Sequence, residues 1–169
     1  MEFISSDTNI WIDFSVIDCL ELPFKLDYTY LMSQDAIDDE LLSPIGLGNN
    51  LISLGLIGVE LSEEEFYLAV DYSNQHARLS KHDCAALAIA KTRGIILLTG
   101  DGHLRCVAKQ EGVRVMGTIG LLDQLIEYEY INNDQYVKCL KSLQRENGRA
   151  VRLPGDELEK RIKKYEEDL

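Results

Sequence analysis

The sequence SKHDCAALAIAKTRGIILLTGDGHL, residues 80–104, has the clearest structural pattern in the chain. Ser80 and Asp83 have the spacing of a capping box, in which each side chain accepts a hydrogen bond from the other residue's backbone N–H, so a helix is predicted to begin here. The body of this helix, CAALAIA, is apolar on almost every side, which indicates that the helix is buried. Gly94 suits the left-handed conformation that commonly ends a helix.

A strand and a sharp turn follow this helix. The run IILLT, residues 95–99, is continuously apolar, as expected of a parallel strand that is covered on both faces. Asp101 comes shortly after it, between two glycines that let the backbone turn sharply. The stretch therefore predicts a helix, a strand and a second helix, with an acidic side chain at the end of the strand.

The same alternation of strands and helices extends in both directions along the chain. It predicts an α/β fold with a central parallel sheet and helices on both faces. The run LISLGLIGVEL, residues 51–61, is typical of either a strand or an irregular buried segment. After about residue 132 the pattern is helical only. The predicted strands are 2–5, 28–33, 95–99 and 113–118, and the predicted helices are 8–21, 34–45, 62–79, 80–94, 102–112, 119–131, 133–147 and 154–169.

The length and net charge of the chain limit the kinds of function that are compatible with it. With 169 residues, the chain is long enough for one well-buried domain and too short to expect two. The net charge of −12 disfavours tight nonspecific binding of a polyanion over the whole surface, although a metal site or a local basic face would still allow nucleic acid. No apolar run approaches the roughly 20 residues of a membrane span, and no signal peptide is recognisable, so we expect a cytoplasmic protein without a membrane partner.

Four carboxylates are predicted to converge at one end of the sheet, where ligands of open parallel sheets bind. Asp7 and Asp101 follow predicted strands, and the other two acids lie on helices: Glu40 after the second strand, and Asp83 in the first turn of the buried helix. Each acid alone has a structural explanation as a helix cap, a turn residue or a surface acid. Together they would repel one another unless a cation lay between them, and hard oxygen ligands suit Mg²⁺ or Mn²⁺.

Several motifs also resemble a known family. The segments SDTNIWIDF, DDELL, SKHDCAALAIAK and LLTGDGHLRCVAKQEGVRVMGTIGLLDQL are similar, in order and in spacing, to the PIN-domain nucleases. The resemblance covers roughly residues 3–130 and implies a PIN-like three-layer α/β/α fold with a central parallel sheet. The tail, with GRAVRLPGDELEKRI, more weakly resembles the C-terminal part of a toxin-like, VapC-type subgroup of ribonucleases.

The resemblance implies a metal-dependent active site. The family's acidic cluster falls on Asp7, Glu40, Asp83 and Asp101, which would be both the catalytic residues and the ligands of Mg²⁺ or Mn²⁺. The implied reaction is the hydrolysis of RNA phosphodiester bonds, leaving a 5′-phosphate and a 3′-hydroxyl. Glu40 competes for its place with its neighbours Asp38 and Asp39, because only some of three consecutive helical side chains can point inward. The family pattern favours Glu40.

Four further residues are implied as supporting groups. Thr8 and Asn9 match the hydroxyl and amide pair after the first acid, and Asn9 would orient the site or a metal-bound water. Thr99 would bond to a carboxylate. Many relatives have an additional acid where this chain has His103, which would either contact a phosphate or the metal, or be a surface residue of the first helical turn.

The predicted organisation is a PIN-like nuclease domain, residues 1–131, and a helical C-terminal extension, residues 132–169, packed on the same domain. A toxin-like nuclease would have a small antitoxin protein as its partner, and the resemblance is also compatible with a homodimer. Two alternatives to the nuclease stay open. One is a PIN-fold binding module that has lost turnover. The other is a Mg²⁺-dependent phosphatase acting on a small phosphorylated substrate, although the opening DTN lacks the second aspartate of the D-x-D pattern.

Overall fold

A parallel five-stranded sheet lies at the centre of the computed structural model, which describes residues 1–167. Its strands are β1 Glu2–Ser6, β2 Tyr28–Ser33, β3 Ile57–Val59, β4 Ile96–Leu98 and β5 Val115–Met116. They are hydrogen-bonded in the order β3-β2-β1-β4-β5. The chain therefore reverses its direction of winding between β1 and β4, which is the point where such sheets usually bind ligands.

Helices cover both faces of this sheet. They are α1 Thr8–Val16, α2 Gln34–Glu40, α3 Leu47–Leu54, α4 Glu63–Gln75, α5 Lys81–Arg93, α6 Gly102–Gln110, α7 Thr118–Glu127, α8 Asn133–Glu146 and α9 Gly155–Glu166, with a short 3₁₀ helix at Leu22–Lys25. One apolar cluster packs α4, α5 and α6 against β4, and a second cluster joins the sheet to α1, α2, α3 and the last three helices. The three-layer α/β/α architecture is thus confirmed.

The stretch at residues 80–104 folds as predicted. Ser80 N–H donates to Asp83 Oδ2 at 2.9 Å, and Asp83 N–H donates to Ser80 Oγ at 3.1 Å, so the capping box is complete. The seven residues from Cys84 to Ala90 are all buried. Gly94 ends the helix in the left-handed conformation, with φ of +64°. The sequence was sufficient to predict this helix because its capping box, its apolar body and Gly94 all indicate the same start and end.

Four predicted helices end four or five residues earlier than predicted. Those predicted for residues 62–79 and 119–131 end at Gln75 and Glu127. The helix predicted for residues 8–21 ends at Val16, and the chain then turns at Asp18, whose φ is +55°. The helix predicted for residues 34–45 ends at Glu40. After α1, the side chains of Ile17 and Leu20 pack against the core from a loop. After α2, Leu41 is buried, whereas Leu42 and Ile45 are exposed.

The ambiguous run at residues 51–61 contains the last turn of α3 and the whole of β3. Leu47 and Leu51 are buried one turn apart on α3, which gives the helix its apolar contact with the core. Gly55 ends α3 with φ of +130°, a backbone conformation that suits glycine. The three residues of β3 then pair with the end of β2.

The C-terminal helices share the core of the sheet. Leu140 on α8 and Leu158 on α9 are fully buried in the same apolar cluster as Ile4 of β1. The proposed division after residue 131 stays a prediction, and the last two residues of the predicted final helix lie outside the described residues. Among residues 1–167, no helix is both long and apolar enough to cross a membrane.

Candidate active site

Asp7 lies where the sheet reverses its direction of winding. Its backbone N–H donates to Leu98 O at 2.9 Å, which extends the pairing of β1 with β4 by one residue. Asp7 is also the N-cap of α1, and its Oδ1 accepts a hydrogen bond from Thr8 N–H at 2.8 Å. Only 5% of its surface is exposed. Asp7 is therefore at once a structural cap and a buried carboxylate at the expected ligand-binding edge.

Thr99 connects Asp7 with the end of β4. The buried Thr99 hydroxyl donates to Asp7 Oδ2 at 2.8 Å and accepts a hydrogen bond from Asp101 N–H at 3.1 Å. Asp101 is the N-cap of α6, and its Oδ1 accepts from Leu104 N–H at 2.7 Å. A single hydroxyl thus holds the Asp7 carboxylate and the Asp101 backbone in a defined relative position.

The three consecutive acids at the end of α2 have different contacts. Asp38 bonds within its own helix, to the side chain of Gln34. Asp39 Oδ2 lies 3.0 Å from His82 Nε2, at the start of α5. Glu40 Oε1 accepts a hydrogen bond from the Thr8 hydroxyl at 2.9 Å. Glu40 is therefore the one of the three that contacts the N-terminus of α1, next to Asp7.

Asp83 approaches the site from the first turn of α5. Its side chain is partly buried and completes the capping box with Ser80. Its charge is close enough to Asp7 to raise the pKa of that carboxyl. The contact between Asp39 and His82, the residue before Asp83, holds the end of α2 near the start of α5. Three elements distant in sequence thus bring Asp7, Glu40 and Asp83 to one place.

The electrostatics leave Asp7 without a balancing cation. Burial, together with the charges of Asp83 and Glu40, raises the pKa of Asp7 from 3.8 to about 7, and the hydrogen bonds from Thr99 and Thr8 offset only part of this effect. Within residues 1–167, Asp7 forms no ion pair with a lysine, arginine or histidine. A bound cation would supply the missing positive charge and stabilise the ionised carboxylates.

The donor set fits a hard divalent cation by its chemistry. Asp7, Glu40 and Asp83 offer carboxylate oxygens, and an oxygen that already accepts one hydrogen bond keeps a lone pair for a metal. Their present arrangement is more open: in the described part of the chain, no three histidine, cysteine, aspartate or glutamate side chains are close enough to hold an ion. The Asp101 carboxylate is engaged in capping α6. Metal binding therefore requires these side chains to draw closer together.

The remaining predicted side chains lie at the rim. Asn9 is exposed and lines a cavity of about 470 Å³ together with Asp101 and the two glycines that flank it. His103 is partly buried in the first turn of α6 and is not among the residues that line this cavity. Asn9 thus shares a cavity with a predicted metal ligand, whereas the position of His103 agrees with the interpretation as a residue of the first helical turn.

A second buried carboxylate near the site is not predicted by the sequence pattern. Asp13 lines the same cavity, is 5% exposed, and its Oδ2 accepts a hydrogen bond from the Thr118 hydroxyl at 2.7 Å. Burial raises the pKa of Asp13 to about 6 against the opposing effect of this hydrogen bond. The available signal was an acid between Ile12 and Phe14 on a helix that is otherwise apolar toward the core.

Comparisons with known proteins agree with this architecture. The model of one protein family, described as a PIN domain, matches residues 3–167. The match includes the sheet, all four predicted acids and the C-terminal helices. Neither a search of curated proteins nor a search of solved structures gave a match.

Proposed function

The chain belongs to the PIN-domain family, and we propose that it is a metal-dependent endoribonuclease that hydrolyses phosphodiester bonds of RNA. A PIN domain is a nuclease-type fold, and its catalytic groups are carboxylates. The proposal therefore depends on whether the carboxylates of this chain are placed to bind a metal ion as well as to cap helices.

The surroundings of Asp7 are the observation that carries the proposal. Asp7 is buried at the point where the sheet reverses its winding, is fixed by Thr8 and Thr99, and has two further acids near it rather than a cation. A purely structural N-cap needs one acceptor and gains nothing from neighbouring negative charges. An anionic pocket of this kind is favourable when it holds a cation.

The roles of the residues follow from their contacts. Asp7, Glu40, Asp83 and Asp101 would hold Mg²⁺ or Mn²⁺, which when bound activates water for attack on the phosphorus and stabilises the leaving oxygen. Thr99 orients the Asp7 carboxylate, and Thr8 connects α1 to Glu40. Asn9, at the rim, is placed to orient a water or the substrate, and His103 is a candidate for contact with a phosphate.

The biological setting is proposed on the family resemblance alone. A toxin of a type II toxin–antitoxin pair, acting in the cytoplasm and blocked by a small antitoxin protein, suits the similarity of the tail to the VapC-type subgroup. A homodimer is compatible with the same similarity. RNA would be selected by its shape, unstacked bases and loop contacts rather than by attraction to the whole acidic surface.

One observation favours a second candidate, a PIN-fold binding module without turnover. The acids of the described residues do not form a ready metal cluster, and the Asp101 carboxylate caps its own helix. In such a module the acids would serve the fold and the net charge only. Metal binding separates the two candidates, because a binding module has no need of the ion.

Cleavage of a labelled single-stranded RNA by the purified protein tests the proposal. The reaction is run with Mg²⁺, with Mn²⁺ and with excess EDTA, beside the Asp7→Asn and Asp101→Asn variants. Asp38→Asn is the matched control, because Asp38 is an exposed acid that bonds within its own helix. Circular dichroism confirms that each variant is folded.

We expect metal-dependent cutting that both site substitutions abolish and that the control retains. Absence of cutting on varied RNAs, together with absence of Mn²⁺ binding, would overturn the proposal in favour of the binding module. Hydrolysis of a simple phosphomonoester but not of RNA would instead indicate a phosphatase.

A further inference from the structure

The cavity beside Asp101 is lined by acidic side chains and by one arginine. Asp13 and Asp101 line it together with Arg152, which comes from the loop between α8 and α9. Arg152 is 145 positions from Asp7 in sequence, so the C-terminal helices are what bring it to this edge of the sheet. The loop is thereby part of the surroundings of the candidate active site.

The loop that carries Arg152 is held firmly. The Asn147 side chain accepts a hydrogen bond from Leu153 N–H at 2.9 Å and donates to Leu153 O at 3.0 Å, which closes residues 147–153 into a ring. Gly148 N–H donates to Val151 O at 2.9 Å across this ring. Val151 is buried in the main apolar cluster. The backbone next to Arg152 is therefore fixed from both sides, so ligand binding here would not have to order the loop backbone.

Arg152 has no partner that would explain its position by protein contacts. It is exposed, and within residues 1–167 its guanidinium forms no ion pair and no hydrogen bond to a side chain, although Asp13 and Asp101 line the same cavity. By contrast, Arg161 on α9 is paired with both Asp123 and Glu157. In a chain with a net charge of −12, an unpaired guanidinium beside the acidic edge is available to a ligand.

We propose that Arg152 binds a backbone phosphate of single-stranded RNA on the Asp101 side of the active site. The inference rests on the proposed function, since it names how the same site holds its substrate. A guanidinium offers paired donors that match two phosphate oxygens, and it keeps its charge at any working pH. Because it lines the same cavity as Asp101, Arg152 would act as a substrate-binding residue that positions the RNA, and the acids would carry the chemistry.

Binding of a fluorescently labelled single-stranded RNA, measured by anisotropy, tests this role. The measurements use the Asp7→Asn protein, which we expect to bind RNA without cutting it, with Mg²⁺ and salt between about 50 and 200 mM. Arg152→Gln is compared with Arg149→Gln, because Arg149 is an exposed arginine of the same loop that does not line the cavity. Thermal melts show whether either change disturbs the loop.

We expect Arg152→Gln to weaken binding roughly fivefold, as for the loss of one favourable exposed ion pair. The dependence of log K on log salt should become shallower by about 0.7, the value for one phosphate contact to a single strand. Arg149→Gln should bind like its parent. In cleavage by the otherwise wild-type enzyme, Arg152→Gln should raise KM with little change in kcat.

The outcomes separate this inference from the proposed function. If the wild type cuts RNA and the two arginine variants bind alike, the Arg152 contact is wrong and the nuclease stands. If RNA binding depends on Arg152 but no RNA is cut, the contact is supported and the protein is a binding module. If the wild-type protein neither cuts nor binds RNA, both are wrong.

Discussion

Two carboxylates of this molecule are almost equally buried but have different surroundings. Glu65 on α4 is 1% exposed, and Arg93 of α5 donates to it from Nε at 2.8 Å and from Nη2 at 3.1 Å. Ser62 N–H donates to the same carboxylate in a capping box. Asp7 is 5% exposed, and its hydrogen-bond donors within residues 1–167 are neutral groups of Thr8 and Thr99.

The pKa values show the consequence. Burial alone would raise the pKa of Glu65, but the hydrogen bonds from Arg93 and Ser62 hold it below its usual value. At Asp7, burial and the neighbouring acids raise the pKa to about 7. The chain therefore balances the charge of Glu65 with its own arginine, whereas within residues 1–167 no cation balances the charge of Asp7, as the proposed metal site requires. The predictions below test this difference.

The largest effect is expected for Asp7→Asn on RNA cleavage. The amide keeps the shape and can still cap α1, but it removes the central charged ligand. Because a catalytic metal supplies several kcal/mol of transition-state stabilisation, kcat/KM should fall on the order of a thousandfold. Glu65→Ala, assayed at a temperature at which it is folded, should cut RNA at the rate of the wild type. Equal losses in both variants would show that the two acids do not differ in role.

The second prediction concerns the pH dependence of stability without metal. The folded-state pKa of Asp7 lies near 7, above the unfolded value near 3.8, so the native state holds a proton that the unfolded state releases. The stability that this proton provides is complete below about pH 4 and is lost as the pH rises through about 7, a change of up to about 4 kcal/mol.

Calorimetric melts at several pH values check this. The wild-type Tm should fall as the pH rises from about 5 to 8, and Mg²⁺ should restore more of it at the higher pH. Asp7→Asn should flatten the dependence, with a remainder from Asp13, whose pKa burial raises to about 6. A Tm in the wild type that rises steadily over this range would contradict the assignment.

The third prediction concerns Glu65, the buried acid that was compared with Asp7. Glu65→Ala removes the buried partner of Arg93 and one half of the capping box. The free energy of unfolding should fall by about 3 kcal/mol, less than for a fully buried pair together with the cap, because the Arg93 side chain is one-third exposed. Urea denaturation measures the change. Mn²⁺ affinity should be unaltered.

A smaller effect is expected when Thr99 is replaced by valine, which keeps the shape but removes the hydroxyl. Asp7 Oδ2 and Asp101 N–H then lose their common partner. Residues that orient metal ligands typically contribute about tenfold to a hundredfold in affinity, so Mn²⁺ binding should weaken by such a factor. Thr8→Val, which removes the bond to Glu40, is a useful comparison. Unchanged affinity in both variants would show that these hydroxyls serve the fold alone.

The parts of this structure that sequence reasoning predicted are those with local signals. The capping box of α5, Gly94 and the apolar run of β4 each determine their own conformation, so these elements were predicted in type and position. The run at residues 51–61 was not resolved, because Gly55 and a three-residue strand divide an apolar sequence that suits either structure. Periodicity cannot distinguish the two over so few residues.

The candidate site was likewise predicted in part from the sequence. That Asp7 and Asp101 follow strands could be read from the sequence, because parallel strands end at one edge. The bonds from Thr8 to Glu40 and from Thr118 to Asp13 could not, because they join helices far apart in the chain and depend on side-chain conformation. Nor could the position of Arg152, which is set by the packing of α8 and α9 on the sheet.

Mn²⁺ binding, measured by isothermal titration calorimetry at about pH 8 where Asp7 is ionised, tests whether Asp7 holds a metal ion. The wild-type protein, Asp7→Asn and Glu65→Ala are titrated side by side. We predict that the wild type and Glu65→Ala bind Mn²⁺ with equal affinity and that Asp7→Asn binds at least about tenfold more weakly. Absence of binding by the wild type, or equal affinity in Asp7→Asn, would contradict the claim that the charge of Asp7 is left for a metal ion.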